Sequence, residues 1–434
     1  MRRSTLGRGA KLATLPIGFA GRTALGVGKR VGGKPAEAVF SEIQRRTADQ
    51  LFTVLGELKG GAMKLGQAMS IFESALPEEL VAPYREVLTK LQDAAPPMTL
   101  RMLEEVLSEE LGTEWRREFQ SFEDKPAASA SLGQVHRAVW SDGTDVAVKI
   151  QYPGAAKALR SDLRAISRLG RLFAVLAPGI DLKALLAEIE ARATEELDYE
   201  LEASAQRVFA AEYADDPEVV VPRVLHATPR VLVTSWLESE QSIAGVIRNG
   251  TPQERDRAGF LYATFLVSSP ARTGLLHADP HPGNFRLLTD GRLGVVDFGA
   301  AARLPDGFPR PLGELLRLVS DGDWEGAAAS LRANGFLLPH TKFEPADLAD
   351  YLGPMIAPAR EETFGFSRAW LRGEAARVAI PTPENFSRAV KFNMPPEYML
   401  IHRVWMGGIG VLCQLEATLP FRGMLADNVP GFAD

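Results

Sequence analysis

The chain has 434 residues, 46% of them hydrophobic, and 49 Lys and Arg against 55 Asp and Glu give a formal net charge of -6. That length and apolar content suffice for roughly two or three domains with a sizeable core, and the acidic balance argues against a nucleic-acid partner, which would call for a basic domain or stripe. The one cysteine, Cys413, excludes an intramolecular disulfide and a cysteine-based zinc site, so a reducing, cytoplasmic location is expected.

Residues 1–36 carry Arg2, Arg3, Arg8, Lys11, Arg22, Lys29, Arg30 and Lys34 and no acidic residue. This basic arm is expected to be flexible, and it offers peripheral contact with an anionic membrane, where each basic residue contributes about 1 kcal/mol. The apolar stretch Leu12 to Ala20 is short and contains Pro16, which does not fit a secretory signal. Two longer apolar stretches, Phe260–Leu276 and Met399–Cys413, are interrupted by Pro270 and Arg272 and by Arg403 and glycines. They read as buried core helices, because a membrane span needs about 18 or more uninterrupted apolar residues.

From Ala38 to Ser74, Phe40, Ile43, Leu51, Leu55 and Leu58 recur at helical spacing, and the segment closes on Lys64-Leu65-Gly66-Gln67. Residues 98–120 predict a charged amphipathic helix after Pro96-Pro97, with Thr99 as its cap. Strands are expected over Ala130–Val139 and Asp145–Gln151, joined by the hairpin turn Ser141-Asp142-Gly143-Thr144. Helices follow over Ala155–Leu176 and Leu182–Ala211, then strands over Val219–Val224 and Arg230–Trp236. From Thr251 onward helices dominate, apart from a short strand at Leu293–Val296. The resulting division is a basic arm (1–36), a helical extension (37–121), an N-lobe (122–240) and a mostly helical C-lobe (241–434).

His277-Ala278-Asp279-Pro280-His281-Pro282-Gly283-Asn284 and Asp297-Phe298-Gly299 place two carboxylates and a carboxamide at the spacing with which protein-kinase-like folds handle Mg-ATP. Asp279 then acts on the acceptor hydroxyl, while Asn284 and Asp297 hold Mg²⁺. The eighteen positions from Asp279 to Asp297 leave room for a hairpin that brings both carboxylates to one cleft. His277 reads as a structural hydrogen-bonding residue. Val146-Ala147-Val148-Lys149 ends a strand as the phosphate-pairing lysine of kinases does. Its acidic partner is expected on the helix Leu182–Ala211, where Glu195, Glu196, Asp198 and Glu200 all qualify by spacing. Ala128-Ser129-Ala130-Ser131 occupies the place of the glycine-rich phosphate loop, and its alanines stiffen the backbone against the φ > 0 conformations that glycine allows.

With these motifs the chain resembles the ABC1/UbiB family of atypical kinases from about Leu51 onward. Lys64-Leu65-Gly66-Gln67 is similar to the family's Lys-x-Gly-Gln signature, Ala128 to Ser131 to its alanine-rich loop, and Glu196-Leu197-Asp198 to its Glu-x-Asp motif. The resemblance implies an α+β, protein-kinase-like two-lobed fold with an α-helical N-terminal extension, and ATP and Mg²⁺ as cofactors. It makes Glu196 the partner of Lys149 and Asp198 the second motif member at the nucleotide, and it places Lys64 and Gln67 in the cleft, where they restrict ordinary protein phosphorylation. It also implies ATPase or kinase activity in support of isoprenoid-quinone or membrane-lipid metabolism, with a lipid or quinone-related small molecule as partner. The alternatives are a nucleotide-gated scaffold and a Ser/Thr protein kinase. Two positions depart from the pattern: Ser129 interrupts the alanine run, and Ser235 stands where relatives often carry an acidic residue near the adenine.

Overall fold

The computed structural model of the protein describes residues 98–130, 132–155, 197–337, 345–379 and 395–433. The basic arm, the helical unit with Lys64 and Gln67, Ser131, Glu196 and the helix expected over Ala155–Leu176 fall outside these ranges, apart from Ala155 itself.

Helix α1 (Leu100–Leu111) starts where the sequence predicts, with the Thr99 hydroxyl accepting from the Met102 amide. It ends well before residue 120, because Gly112 adopts φ 90°, a conformation that suits glycine and breaks the ladder. Leu103, Val106 and Leu107, three and four residues apart, bury one face of α1.

The strands that follow are β1 (Phe119–Phe122), β2 (Ala128–Ala130), β3 (Gly133–Trp140), β4 (Asp145–Gln151), β5 (Val219–Val220), β6 (Val224–Ala227), β7 (Val231–Ser235) and β8 (Ser239–Ser242). One sheet has the order β1-β3-β4-β7-β6, with β2 folded onto β3, and all its pairings are antiparallel. The apolar face of α1 packs on it against Val146, Val148, Ile150, Val231 and Val233. The predicted hairpin joins β3 to β4: Val139 lies opposite Asp145, the Trp140 amide donates to the Thr144 carbonyl at 2.8 Å, and the Asp142 carboxylate accepts from the Thr144 amide at 2.8 Å.

The single strand expected over Val219–Val224 is split between two sheets. Pro222 cannot donate to a ladder and interrupts it, so β5 runs parallel to β11 (Leu293–Val295) while β6 pairs with β7. A second sheet, β5-β11-β10-β8, includes β10 (Phe285–Leu288). Residues 236–238 pass from β7 in the first sheet to β8 in the second. Strands β9 (Leu275–His277) and β12 (Ala301–Arg303) form an antiparallel pair.

Between β4 and β5 lies helix α2 (Tyr199–Glu212). Helices α3 (Ile243–Asn249) and α4 (Pro252–Thr273) come after β8, and Thr251 and Glu254 close a full capping box at the start of α4. The remaining helices are α5 (Arg310–Asp321), α6 (Trp324–Ala333), α7 (Pro345–Leu352), α8 (Ala357–Arg360), α9 (Arg368–Ala379), α10 (Pro396–Leu415) and α11 (Phe421–Asn428). The two apolar stretches of the sequence fall in α4 and α10 and contribute Tyr262, Phe265, Val404, Val411 and Cys413 to the largest core. Among the described residues no helix is long and apolar enough to cross a membrane. The mostly helical C-terminal third also contains a small strand pair, Phe364–Gly365 with Thr418–Leu419, for which the sequence has no period-2 signal.

A buried polar relay ties α1 to the first sheet. The Met98 amide donates to Gln134 Oε1 at 2.9 Å, Gln134 Nε2 contacts His136 Nε2 at 2.7 Å, and His136 Nδ1 contacts the Glu123 carbonyl at 2.7 Å. A carbonyl only accepts, so Nδ1 carries the proton and Nε2 accepts from the glutamine amide. Burial lowers the His136 pKa below its ordinary value, against a weaker pull from the Glu123 carbonyl. Below about pH 6.5 the unfolded chain therefore binds a proton that the folded chain refuses, so the stability this residue contributes is full above that pH and is lost as pH falls toward the lowered value. The margin of the wild type over His136→Gln in urea unfolding should shrink by up to about 1.4 kcal/mol per pH unit below pH 6.5. A margin that does not change with pH contradicts a neutral buried imidazole.

Candidate active site

Side chains alternate along β4, so Val148 and Ile150 enter the sheet's core while Ala147 and Lys149 face the other way, toward α2 and the second sheet. Lys149 Nζ donates to both oxygens of Glu202, at 2.6 and 2.8 Å, and to Asp297 Oδ2 at 3.1 Å. The ammonium also lies 5.0 Å from the ring centroid of Tyr199. Burial by itself would depress the Lys149 pKa, but the Asp297 and Glu202 carboxylates outweigh it and hold the group protonated above its usual range.

The partner of Lys149 in the structure is thus Glu202, six residues beyond Glu196, the residue expected in that role, which lies outside the described residues. Helix geometry accounts for the choice. The Asp198 carboxylate accepts from the Glu200 amide at 2.9 Å and caps α2, so the helix begins at Tyr199. Tyr199, Glu202, Ala203, Gln206 and Phe209 then form its buried face. Asp198, expected at the nucleotide, serves as this cap and is not among the residues lining the cleft. A signal for Glu202 was present in the sequence: a carboxylate interrupts an otherwise uncharged helical stripe.

The Asp-Phe-Gly segment is held from three sides. Asp297 Oδ1 accepts from the Gly299 amide at 3.0 Å, and the Asp297 carbonyl accepts from His277 Nε2 at 2.7 Å. Phe298 is 1% exposed and packs 4.9 Å from Phe209 of α2. His277 has the structural role expected of it. It sits among Phe209, Phe265, Phe285 and Phe298, and burial lowers its pKa so that the ring is neutral.

The hairpin anticipated between the two aspartates is β10–β11, with Phe285 opposite Val295. The Val296 amide donates to the Asn284 carbonyl at 3.0 Å, which makes Asn284 and Asp297 near neighbours. Asn284 Nδ2 donates to the Asp279 carbonyl at 3.3 Å, and Asp279 Oδ1 accepts from the His281 amide at 3.4 Å. His281 Nδ1 accepts from the Gly283 amide at 3.1 Å, and the Tyr262 hydroxyl anchors the Pro280 carbonyl at 2.6 Å.

A cleft of about 480 Å³ lies between the two sheets. Lys149, Asn284 and Asp297 line it together with Ala128, Ser129 and Ala130, while half-buried Asp279 is not among its lining residues. Those three small residues, expected as a stiffened loop, form β2, a short strand doubled back on β3 with Ala130 opposite Gly133. A Cβ at Gly133 would collide with the Ile150 carbonyl, so glycine is required where this turn crosses β4. Arg286 also lines the cleft, and no motif in the sequence pointed to it. The Asp297 carboxylate and the Asn284 amide are hard oxygen donors on one wall, a set that fits Mg²⁺ bound by one or two protein oxygens, water and substrate phosphates.

A cleft between an antiparallel sheet and a helical lobe, with a strand lysine paired to a helix glutamate beside an Asp-Phe-Gly turn, defines the α+β fold of the protein kinases. Residues 90–331, more than half of the chain, match the ABC1 atypical kinase-like domain, and the chain belongs to that family. The solved structure of Rv3197 from Mycobacterium tuberculosis in complex with erythromycin is similar at TM-score 0.71 and 42% identity, covering 92% of this chain and 100% of that one. The mitochondrial atypical kinase coq-8 of Caenorhabditis elegans is 30% identical over 445 residues, covering 96% of this chain and 56% of the relative. The mitochondrial atypical kinase COQ8 of Saccharomyces cerevisiae is 30% identical over 285 residues, covering 64% of this chain and 55% of the relative. The chain thus spans little more than half the length of these two relatives.

Glu202→Ala leaves Lys149 buried with half of its compensation, and urea unfolding should show a loss of about 3 kcal/mol or more. Glu200→Ala, on the exposed face of the same turn, should change stability by no more than about 0.5 kcal/mol. Equal effects of the two substitutions would contradict the pairing.

Proposed function

We propose that the protein binds Mg-ATP in this cleft and hydrolyses it or transfers its γ-phosphoryl group to a small-molecule acceptor. The observation that carries this reading is the bidentate Lys149–Glu202 pair standing 3.1 Å from Asp297, the arrangement that kinase phosphoryl transfer requires. Lys149 would hold the α- and β-phosphates, with Glu202 positioning it, and the backbone of Ala128, Ser129 and Ala130 would pass along the phosphates. Asn284 and Asp297 would hold Mg²⁺, which when bound screens the charge of the phosphates. Asp279 would orient the attacking hydroxyl or water, with Lys64 and Gln67 closing the cleft to protein substrates.

Membership in the ABC1 family supports placing this activity in isoprenoid-quinone or membrane-lipid metabolism, with a lipid or quinone-related acceptor. The basic arm 1–36 would hold a cytoplasmic protein at an anionic membrane surface. A second reading, a nucleotide-gated scaffold with little turnover, draws on one observation: Asp279 is tied into its own loop and is not among the residues lining the cleft.

The test is Mg-dependent ADP release from ATP by the purified protein, with and without anionic liposomes. Asp297→Asn should abolish Mg-dependent nucleotide binding measured by calorimetry, and unchanged affinity sinks its assignment as a metal ligand. Asp279→Asn should keep wild-type affinity and lose about 10²-fold or more in turnover. If the wild type releases no more ADP than this variant under any condition, the scaffold reading prevails.

A further inference from the structure

Strand β10 places Phe285 and Leu287 in the C-lobe core and turns Arg286, the residue between them, to the opposite face, where it lines the cleft. Its Nη1 donates to the Ser239 hydroxyl at 3.3 Å, at the end of the segment that links the two sheets. Among the described residues no carboxylate pairs with this guanidinium, although the side chain is largely buried, and burial is the one influence acting on its pKa, downward. Arginine is seldom buried without a charged partner, and among the described residues the acceptor this cation has is the neutral Ser239 hydroxyl.

The cleft's geometry indicates which ligand group would complete this cation. Lys149, Asn284 and Asp297 are the lining residues suited to phosphates and metal, so the nucleoside of a bound nucleotide extends toward the inter-sheet link, where Ser239 lies. The first sheet contributes Val135 and Ala147 to the same cleft. Both stand on the face of that sheet turned away from its core, and Arg286 stands on the facing strand of the second sheet. A cleft that receives aliphatic side chains from one sheet and a planar guanidinium from the other suits a flat aromatic ring, because arginine stacks on π faces and is weakly hydrated.

We propose that Arg286 is a nucleoside-binding residue of the cleft, its guanidinium packing on the face of the purine base. This deepens the Mg-nucleotide reading and rests on it. A contact with the ring face reads none of the base's edges, so the residue contributes affinity for purine nucleotides in general and nothing for phosphate alone.

Calorimetry with Mg-ATP, Mg-GTP and Mg-tripolyphosphate on the full chain, comparing wild type with Arg286→Leu and Arg286→Lys, tests the proposal once both variants are shown to melt at the wild-type temperature. Arg286→Leu should weaken ATP and GTP alike by roughly 3- to 30-fold and leave tripolyphosphate unchanged. Arg286→Lys, which keeps the charge without the plane, should fall between the two. Equal weakening of tripolyphosphate would move the contact to the phosphates and overturn the proposal. So would unchanged ATP affinity, or a loss confined to GTP, which would mean reading of an edge. Failure of the wild type to bind any Mg-nucleotide would remove the underlying reading, and this inference with it.

Discussion

One ammonium shared between two carboxylates organises this protein. Lys149 comes from a strand of the first sheet, Glu202 from helix α2 and Asp297 from the turn that follows the second sheet, and they meet within 3.1 Å. Such a cluster contributes little net stability, because desolvating three charges offsets most of their attraction. It does penalise any arrangement in which one member is withdrawn, since the others would be left buried and unpaired. Three chain segments far apart in sequence are thereby held in one relative placement. Two carboxylates to one cation also leave the cluster net negative, which suits it to a divalent cation carried in on phosphates.

The aromatic packing beneath reinforces that placement. Phe298, next to Asp297, packs on Phe209 of the same helix that carries Glu202, and His277 joins both while holding the Asp297 carbonyl. Helix α2 is therefore bound to the Asp-Phe-Gly turn twice, by charge at its first turn and by ring contacts near its end. A shift of α2 would disturb Lys149 and Asp297 together, so the cleft's geometry follows the seating of one helix.

Much of the fold was legible because its signals are local. The Thr99 cap, the β3–β4 hairpin and the two apolar helices each depend on residues within a few positions of one another. Elements that depend on a distant partner were not legible. Strands β8, β9 and β12 are short and are defined by the strands they pair with, and Val219–Val220 joins the second sheet because β11 is there to receive it. The end of α1 at Gly112 was missed for the opposite reason, since a glycine that can continue or stop a helix shows its φ only in the folded chain.

The sequence by itself determined the chemistry: the order and spacing of Lys149, Asp279, Asn284 and Asp297, the small residues of β2 and the family to which they point. Only the tertiary structure decided which carboxylate completes the lysine, because several glutamates share the helical spacing and selection among them depends on where the Asp198 cap starts α2 and so on which face is buried. Only the tertiary structure brought Arg286 to the cleft, since an arginine between two apolar residues of a strand reads as an ordinary solvated position until the facing sheet covers it. Motif spacing is a covalent property and survives in one dimension, whereas burial and pairing belong to the packed chain.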